Sequence, residues 1–179
     1  MKKKYLVTGG SGFIGSALVK RLLREGHSVR VFDNNSRGNL RRLESVIDQI
    51  EFVEGDIREP NQVLEACKGV DAVCHLAFVN GTKFFYELPE LVLEVGVKGM
   101  INILDACIAH NIEDLILASS SEVYQSPAEV PTSENVPLIV PDLQNPRYSY
   151  GGGKIISELL AINYGRSKVK RVVIFRPHN

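Results

Sequence analysis

The chain has 179 residues, enough for one domain with a substantial core. With 44% hydrophobic and 23% charged residues it falls among ordered globular sequences and outside the disordered ones. Its formal net charge is zero, which predicts neither nucleic-acid nor anionic-membrane binding, and no apolar stretch approaches the length of a membrane span.

The basic start, Lys2-Lys3-Lys4, precedes a strand rather than an apolar targeting core, so it reads as a solvated terminus. The apolar run Tyr5-Leu6-Val7 predicts a first strand, broken by Gly9, Gly12 and Gly15. A helical pattern follows at once, with Ile14, Ala17, Leu18 and Leu22 on one face. Strand, glycine turn and helix form the context of a dinucleotide-binding fingerprint. Gly9 suits a turn that other residues resist, Gly12 lets backbone approach a pyrophosphate, and Gly15 lets helix lie on strand. The helix start then favours the phosphate charge. Ser28–Phe32 reads as the second strand and ends in Asp33, where a carboxylate can accept hydrogen bonds from an adenosine ribose. It would also repel a 2′-phosphate, so NAD is expected over NADP, although Arg37 lies close by in the loop.

A polar loop and a short amphipathic piece through Asp48 lead to a third strand, Ile50–Val53, closing on Gly55-Asp56-Ile57. Pro60 opens a helix with Val63, Leu64 and Cys67 on its apolar face, ending at Gly69. Asp71–Leu76 is the fourth strand. A long helical region from about Lys83 to His110 repeats Leu91, Val95, Ile101, Leu104 and Ile108, interrupted by Pro89, Gly96 and Gly99. Leu115–Ser119 is the fifth strand, and a loop holding Pro127, Pro131, Pro137, Pro141 and Pro146 follows; a connection this long is often functional. Ser149–Tyr164 is helical and Val172–Phe175 is the sixth strand. Such alternation predicts an α/β, doubly wound parallel sheet of the Rossmann type, order 3-2-1-4-5-6, with one domain over residues 1–179 and ligand across the carboxyl ends of the strands. Cys67, Cys74 and Cys107 sit in apolar patterns and read as buried free thiols of a reducing compartment. The four histidines lack metal-ligand spacing, so no metal is expected.

Tyr150 and Lys154 stand four apart on one helical face. A lysine ammonium near a phenol favours the phenolate, which could then take a proton from a substrate hydroxyl whose carbon gives up hydride. Between them lies Gly151-Gly152-Gly153, at a cost of roughly 1 kcal/mol per glycine in a helix interior, which asks for close approach by a cofactor or another helix, or reflects a frayed helix start. Ser119-Ser120-Ser121-Glu122 follows the fifth strand, where a hydroxyl could bond the same substrate oxygen.

Taken together, Thr8–Gly15, Asp33-Asn34, Gly55-Asp56-Ile57, His75-Leu76-Ala77, Ser119–Tyr124, Tyr150-x-x-x-Lys154 and Arg176–Asn179 resemble extended short-chain dehydrogenase/reductases, and more narrowly the NAD-dependent nucleotide-sugar epimerases and dehydratases. The resemblance implies NAD lined by Gly9, Gly12, Phe13, Ile14, Gly15, Asp33, Asn34, Asp56, Ile57, Leu76, Ala77 and Pro177. It implies Tyr150 as base, Lys154 on the nicotinamide ribose, Ser120 on the reacting hydroxyl, and Ser121 and Asn179 toward the nucleotide sugar. The expected reaction is 4-epimerisation of a nucleotide-linked hexose through a transient 4-keto sugar, in a cytoplasmic homodimer paired through the long helix and the helix of Tyr150. Where the family usually has Asn, Thr, a second Ala and Gly, this chain has Gly96, Met100, Phe78 and Gln125. Ser121 replaces the aspartate expected of glucose-type 4,6-dehydratases. Glu122 is either a polar residue at a strand end or a second base near C5, as in mannose-type dehydratases and uronic-acid decarboxylases. The family continues past Asn179 into a smaller lobe that holds most of the nucleotide sugar, and that substrate lobe is missing here. A non-catalytic NAD-binding module is therefore the remaining alternative.

Overall fold

The computed structural model describes residues 2–165 and 168–178. Six parallel strands lie in the order β3-β2-β1-β4-β5-β6: β1 Lys4–Thr8, β2 Ser28–Asp33, β3 Ile50–Glu54, β4 Ala72–His75, β5 Asp114–Ala118 and β6 Arg171–Phe175. This is the doubly wound order expected from the alternating pattern. The order reverses between β1 and β4, whose register runs from Tyr5 opposite Ala72 to Thr8 opposite His75. The crevice beyond that reversal is where open α/β sheets receive ligands.

Both faces of the sheet are buried, which follows from the two-residue period of a strand. Leu6, Phe32, Val73, Leu115 and Leu117 point into one core, under helices α2 (Pro60–Cys67), α4 (Pro89–Ala109) and α5 (Ser149–Gly165). Val7, Val29, Val31 and Cys74 point into the other, under α1 (Phe13–Arg24) and a 3-10 segment, Leu40–Gln49. Each fully buried aliphatic side chain contributes about 1.5–3 kcal/mol. Arg30 breaks the apolar pattern of β2. It is buried because its guanidinium donates to the carbonyls of Ala66 (2.6 Å) and Lys68 (2.8 Å) at the C-terminal end of α2, and it pairs with Glu51 at 2.9 Å.

Local structure departs from expectation in three places. The amphipathic piece before β3 is a 3-10 segment, capped by the Asn39 side chain accepting from Arg41 N–H. The helical region 83–110 is two helices, α3 (Thr82–Glu87) and α4, because Pro89 starts a new helix and Leu88 between them is non-helical. Gly96 and Gly99, expected as further interruptions, remain inside α4. There they make room for neighbours: a Cβ on Gly96 would meet the Phe78 ring, and one on Gly99 would meet Ile57.

Candidate active site

Chain turns that follow the strands build the site. After β1, Gly9 has φ +70°, a conformation that favours glycine, and a Cβ there would lie 2.8 Å from the backbone nitrogen of Ala77. A Cβ on Gly15 would collide with the carbonyl oxygen of Gly9. No side chain caps the start of α1 among the described residues, so its first N–H groups face the crevice. Thr8 locks the ends of β1 and β4 together. Its Oγ1 accepts from Leu76 N–H and Ala77 N–H, both at 3.2 Å, and meets His75 Nδ1 at 2.8 Å. With both lone pairs so engaged, the hydroxyl donates to the imidazole. Burial holds His75 down to about 3, and the charge of Lys154 adds to this, so the ring is neutral.

Asp33, at the end of β2, is buried and oriented by two backbone donors. Ser11 N–H reaches Oδ2 at 3.0 Å and Asn35 N–H reaches Oδ1 at 2.9 Å. Asp56 after β3 is gripped by Arg58, whose hydrogen bonds hold the carboxyl below its usual range, and it accepts from Asn34 Nδ2 at 3.2 Å. Asp33, Asn34, Asp56, Ile57, Leu76 and Ala77 line one cavity with Gly9 and Gly12.

A second cavity of about 540 Å³ opens beside it, sharing Gly9, Gly12, Arg37, Leu76 and Phe78. It collects Phe13, Ile14, Gly15, Ser120, Ser121, Glu122, Tyr150, Lys154 and Pro177. The β5–β6 pairing continues past the formal strand ends, with Ser119 N–H donating to Phe175 O and Ser121 N–H to Pro177 O, so these turns lie side by side. Every described residue expected at the site therefore lines one of two adjoining cavities; Asn179 lies outside the described residues.

Burial is the largest influence on the Tyr150 phenol and raises it, hydrogen bonding with Ser120 works in the other direction, and the charge of Glu122 raises it further. Lys154 Nζ lies 5.8 Å from the Tyr150 ring centre and donates to Ala118 O at 2.6 Å. Lys154 is itself buried, which brings it down to about 7, while Glu158 pulls the other way. The glycine run has an equally local cause. A Cβ on Gly151 would lie 3.1 Å from Glu122 O, and one on Gly153 would lie 3.3 Å from the Phe78 ring.

Several residues at the site carry no sequence signal of their own. Arg147 sits in a 3-10 turn, Pro146–Tyr148, capped by Asn145, and it reaches both oxygens of Glu122 at 3.2 and 3.3 Å. Arg42 and Asn80 line the second cavity. Glu158 accepts from Arg176 Nε (2.9 Å) and Nη2 (2.7 Å) and from Ser119 Oγ, fastening α5 to the turns that follow β5 and β6. Gln125 stands at φ 51°, a conformation that favours glycine, and its side-chain amide donates to Glu122 O.

A parallel sheet in this order, with a glycine turn at the reversal point and polar side chains gathered on its carboxyl edge, defines a Rossmann-type nucleotide domain. Residues 5–179 match the NAD dependent epimerase/dehydratase family, and the chain belongs to that family. Among its relatives, a UDP-N-acetyl-alpha-D-glucosaminuronate decarboxylase of Bacillus cytotoxicus is 34% identical over 92% of this chain and 50% of its own length. A UDP-glucose 4-epimerase of Corynebacterium glutamicum is 30% identical over 90% of this chain and 46% of its own. The crystal structure of UDP-glucose 4-epimerase from Brucella ovis in complex with NAD superposes with a TM-score of 0.86 at 31% identity, covering 99% of this chain and 52% of that one. The chain thus spans about half the length of the curated relatives it matches.

Proposed function

We propose that this chain is the NAD-binding and catalytic part of a nucleotide-sugar 4-epimerase. The observation that carries the reading is the convergence of Ser120, Tyr150 and Lys154 on a cavity shared with the glycine turn. The residues fit NAD: Gly9 and Gly15 let the turn close tightly on Ala77 and on itself, where a Cβ would collide, and Asp33 is oriented to accept from a ribose while disfavouring a 2′-phosphate. NAD held there would supply a reversible hydride acceptor for the sugar carbon. The protein does the rest. Ser120 holds the reacting hydroxyl, Tyr150 takes its proton, and Lys154 holds the nicotinamide ribose. Epimerisation then requires the 4-keto sugar to turn and accept hydride on its other face. The test is incubation with NAD and a panel of nucleotide sugars, read by proton NMR. Accumulation of a 4-epimer supports the reading, and a 4-keto-6-deoxy or decarboxylated product overturns it.

One observation favours a second reading, a uronic-acid decarboxylase or a dehydratase. Glu122 lines the same cavity, forked by Arg147, and would act as a second base near C5. Under the epimerase reading, Glu122→Gln is expected to keep turnover within about tenfold, whereas a general base would lose about 10²–10⁴-fold. Rates from the same NMR progress curves decide between them. The third alternative, a non-catalytic NAD-binding module, predicts NAD affinity with no product from any sugar.

We also place a homodimer contact on α4 and α5. They pack on each other, and each leaves apolar side chains in solvent: Leu93 and Ile101 on α4, Ile156 and Leu159 on α5. Sedimentation at micromolar concentration is expected to show a dimer, and Leu159→Asp to leave a folded monomer; a monomeric parent would sink the assignment. A cytoplasmic setting fits three buried free cysteines, with the thiols of Cys67 and Cys74 pushed up to about 12 by burial. No helix among the described residues is long and apolar enough to cross a membrane.

A further inference from the structure

Phe78 follows β4 by three residues and stands at the junction of the two cavities. One face of its ring covers the Lys154 amine, whose Nζ lies 4.0 Å from the ring centre. Tyr150 meets the ring edge-on, with centres 5.2 Å apart at 83°. Glycines on two different helices also lie against the ring. A Cβ on Gly96 of α4 would lie 2.7 Å from Phe78 Cε2, and one on Gly153 of α5 would lie 3.3 Å from Cζ. Both helices give up side chains where the ring sits, although glycine in a helix interior is unfavourable. The ring therefore occupies a seat that this sequence makes for it.

Its seat matters because of what lies beneath. Lys154 has the carbonyl of Ala118 as its hydrogen-bond partner and is almost wholly shut off from water. The charged and titratable groups around it are few. Glu158 lies one turn further along α5 and is engaged by Arg176 and Ser119. Tyr150 lies one turn back, with Glu122 beyond it, and His75 on β4 is neutral. Burial is the largest influence on the amine and opposes its charged form. The cation–π contact with Phe78 favours the charged form, but it is the weaker of the two effects.

We propose that Phe78 is a positioning residue that governs the protonation of Lys154 by keeping water from its amine, and that Gly96 and Gly153 exist to seat its ring. The proposal rests on reading Lys154 as the residue that orients the cofactor. It gives this chain a lysine whose charge responds to pH near neutrality.

The test is the titration of Lys154 in the whole chain, read from its side-chain ¹³Cε–¹H signal and assigned by loss of that signal in Lys154→Met. The parent is expected to titrate at about 7. Phe78→Ala is expected to move the midpoint up by roughly one to three pH units as water enters. Gly96→Ala, which pushes the ring from its seat, is expected to move it in the same direction, and the double variant to show no further rise. Phe78→Leu keeps an apolar cover and is expected to stay at or below the parent midpoint. A parent midpoint in the ordinary lysine range overturns the proposal, as does an unchanged midpoint in Phe78→Ala. A Phe78→Leu variant titrating like Phe78→Ala overturns shielding as the cause. If Phe78→Ala does not fold, Gly96→Ala and Phe78→Leu decide by the same criteria. No nucleotide or sugar is present, so failure of the epimerase assay leaves this result standing, and failure of the titration leaves the epimerase reading intact.

Discussion

Under the epimerase reading, Tyr150→Phe is expected to lower nucleotide-sugar turnover by about 10³–10⁴-fold, since the reacting hydroxyl would lose its proton acceptor. NAD affinity should stay within a few-fold, and the fold should be untouched. The geometry explains the separation. The Tyr150 ring is buried, stacked on Phe85 with centres 5.0 Å apart and edge-on to Phe78, and phenylalanine preserves both contacts. Only the hydroxyl is lost. Progress curves by proton NMR, paired with an NAD titration, check both halves. Turnover within tenfold of the parent would move the base elsewhere, with Glu122 the first alternative.

The largest expected effect on stability comes from Glu158. Its carboxylate is almost fully buried and takes two hydrogen bonds from Arg176, which in turn donates to Tyr124 Oη at 2.8 Å. Glu158→Ala removes one half of the pair and leaves a partly buried guanidinium without its anion, at a cost of about 3–5 kcal/mol. For a chain of this length, each kcal/mol moves the melting temperature by roughly 2–4 °C. Thermal unfolding followed by circular dichroism should show a drop of roughly 6–20 °C. The paired variant Glu158→Leu with Arg176→Met should recover much of it, because the loss comes from the stranded charge more than from the missing attraction. A single-variant drop under about 2 °C would show that water reaches Arg176 and replaces the pair.

How much of this could be read from the sequence depends on the range of the interaction. The strand order follows from local patterns: a glycine turn after Val7, an acidic end to Phe32, helices between the strands. The site residues at strand ends were legible for the same reason, since topology alone brings residues 9, 33, 56, 77 and 120 to one edge. Hidden features depend on contacts across dozens of residues. Arg30 gives no sequence sign of its burial, and its partners are carbonyls 36 and 38 residues away. The spacing of Tyr150 and Lys154 correctly places them on one face. It cannot show that the amine donates to Ala118 O, or that burial raises the phenol. The departures at 78 and 96 looked like unrelated irregularities until Phe78 was found lying against Gly96.

That contact also restricts the order in which the chain can be altered one residue at a time. Starting from an alanine at 78 and an asparagine at 96, a ring introduced first at 78 would meet a side chain already standing on α4. Glycine introduced first at 96 leaves a void, a tolerable intermediate that the ring then fills. Return requires the reverse order, ring out before side chain in. A mutant library that varies position 96 alone in this protein should therefore recover little beyond glycine and alanine among its stable members. One that varies 78 and 96 together should recover two separate solutions, with few sequences between them.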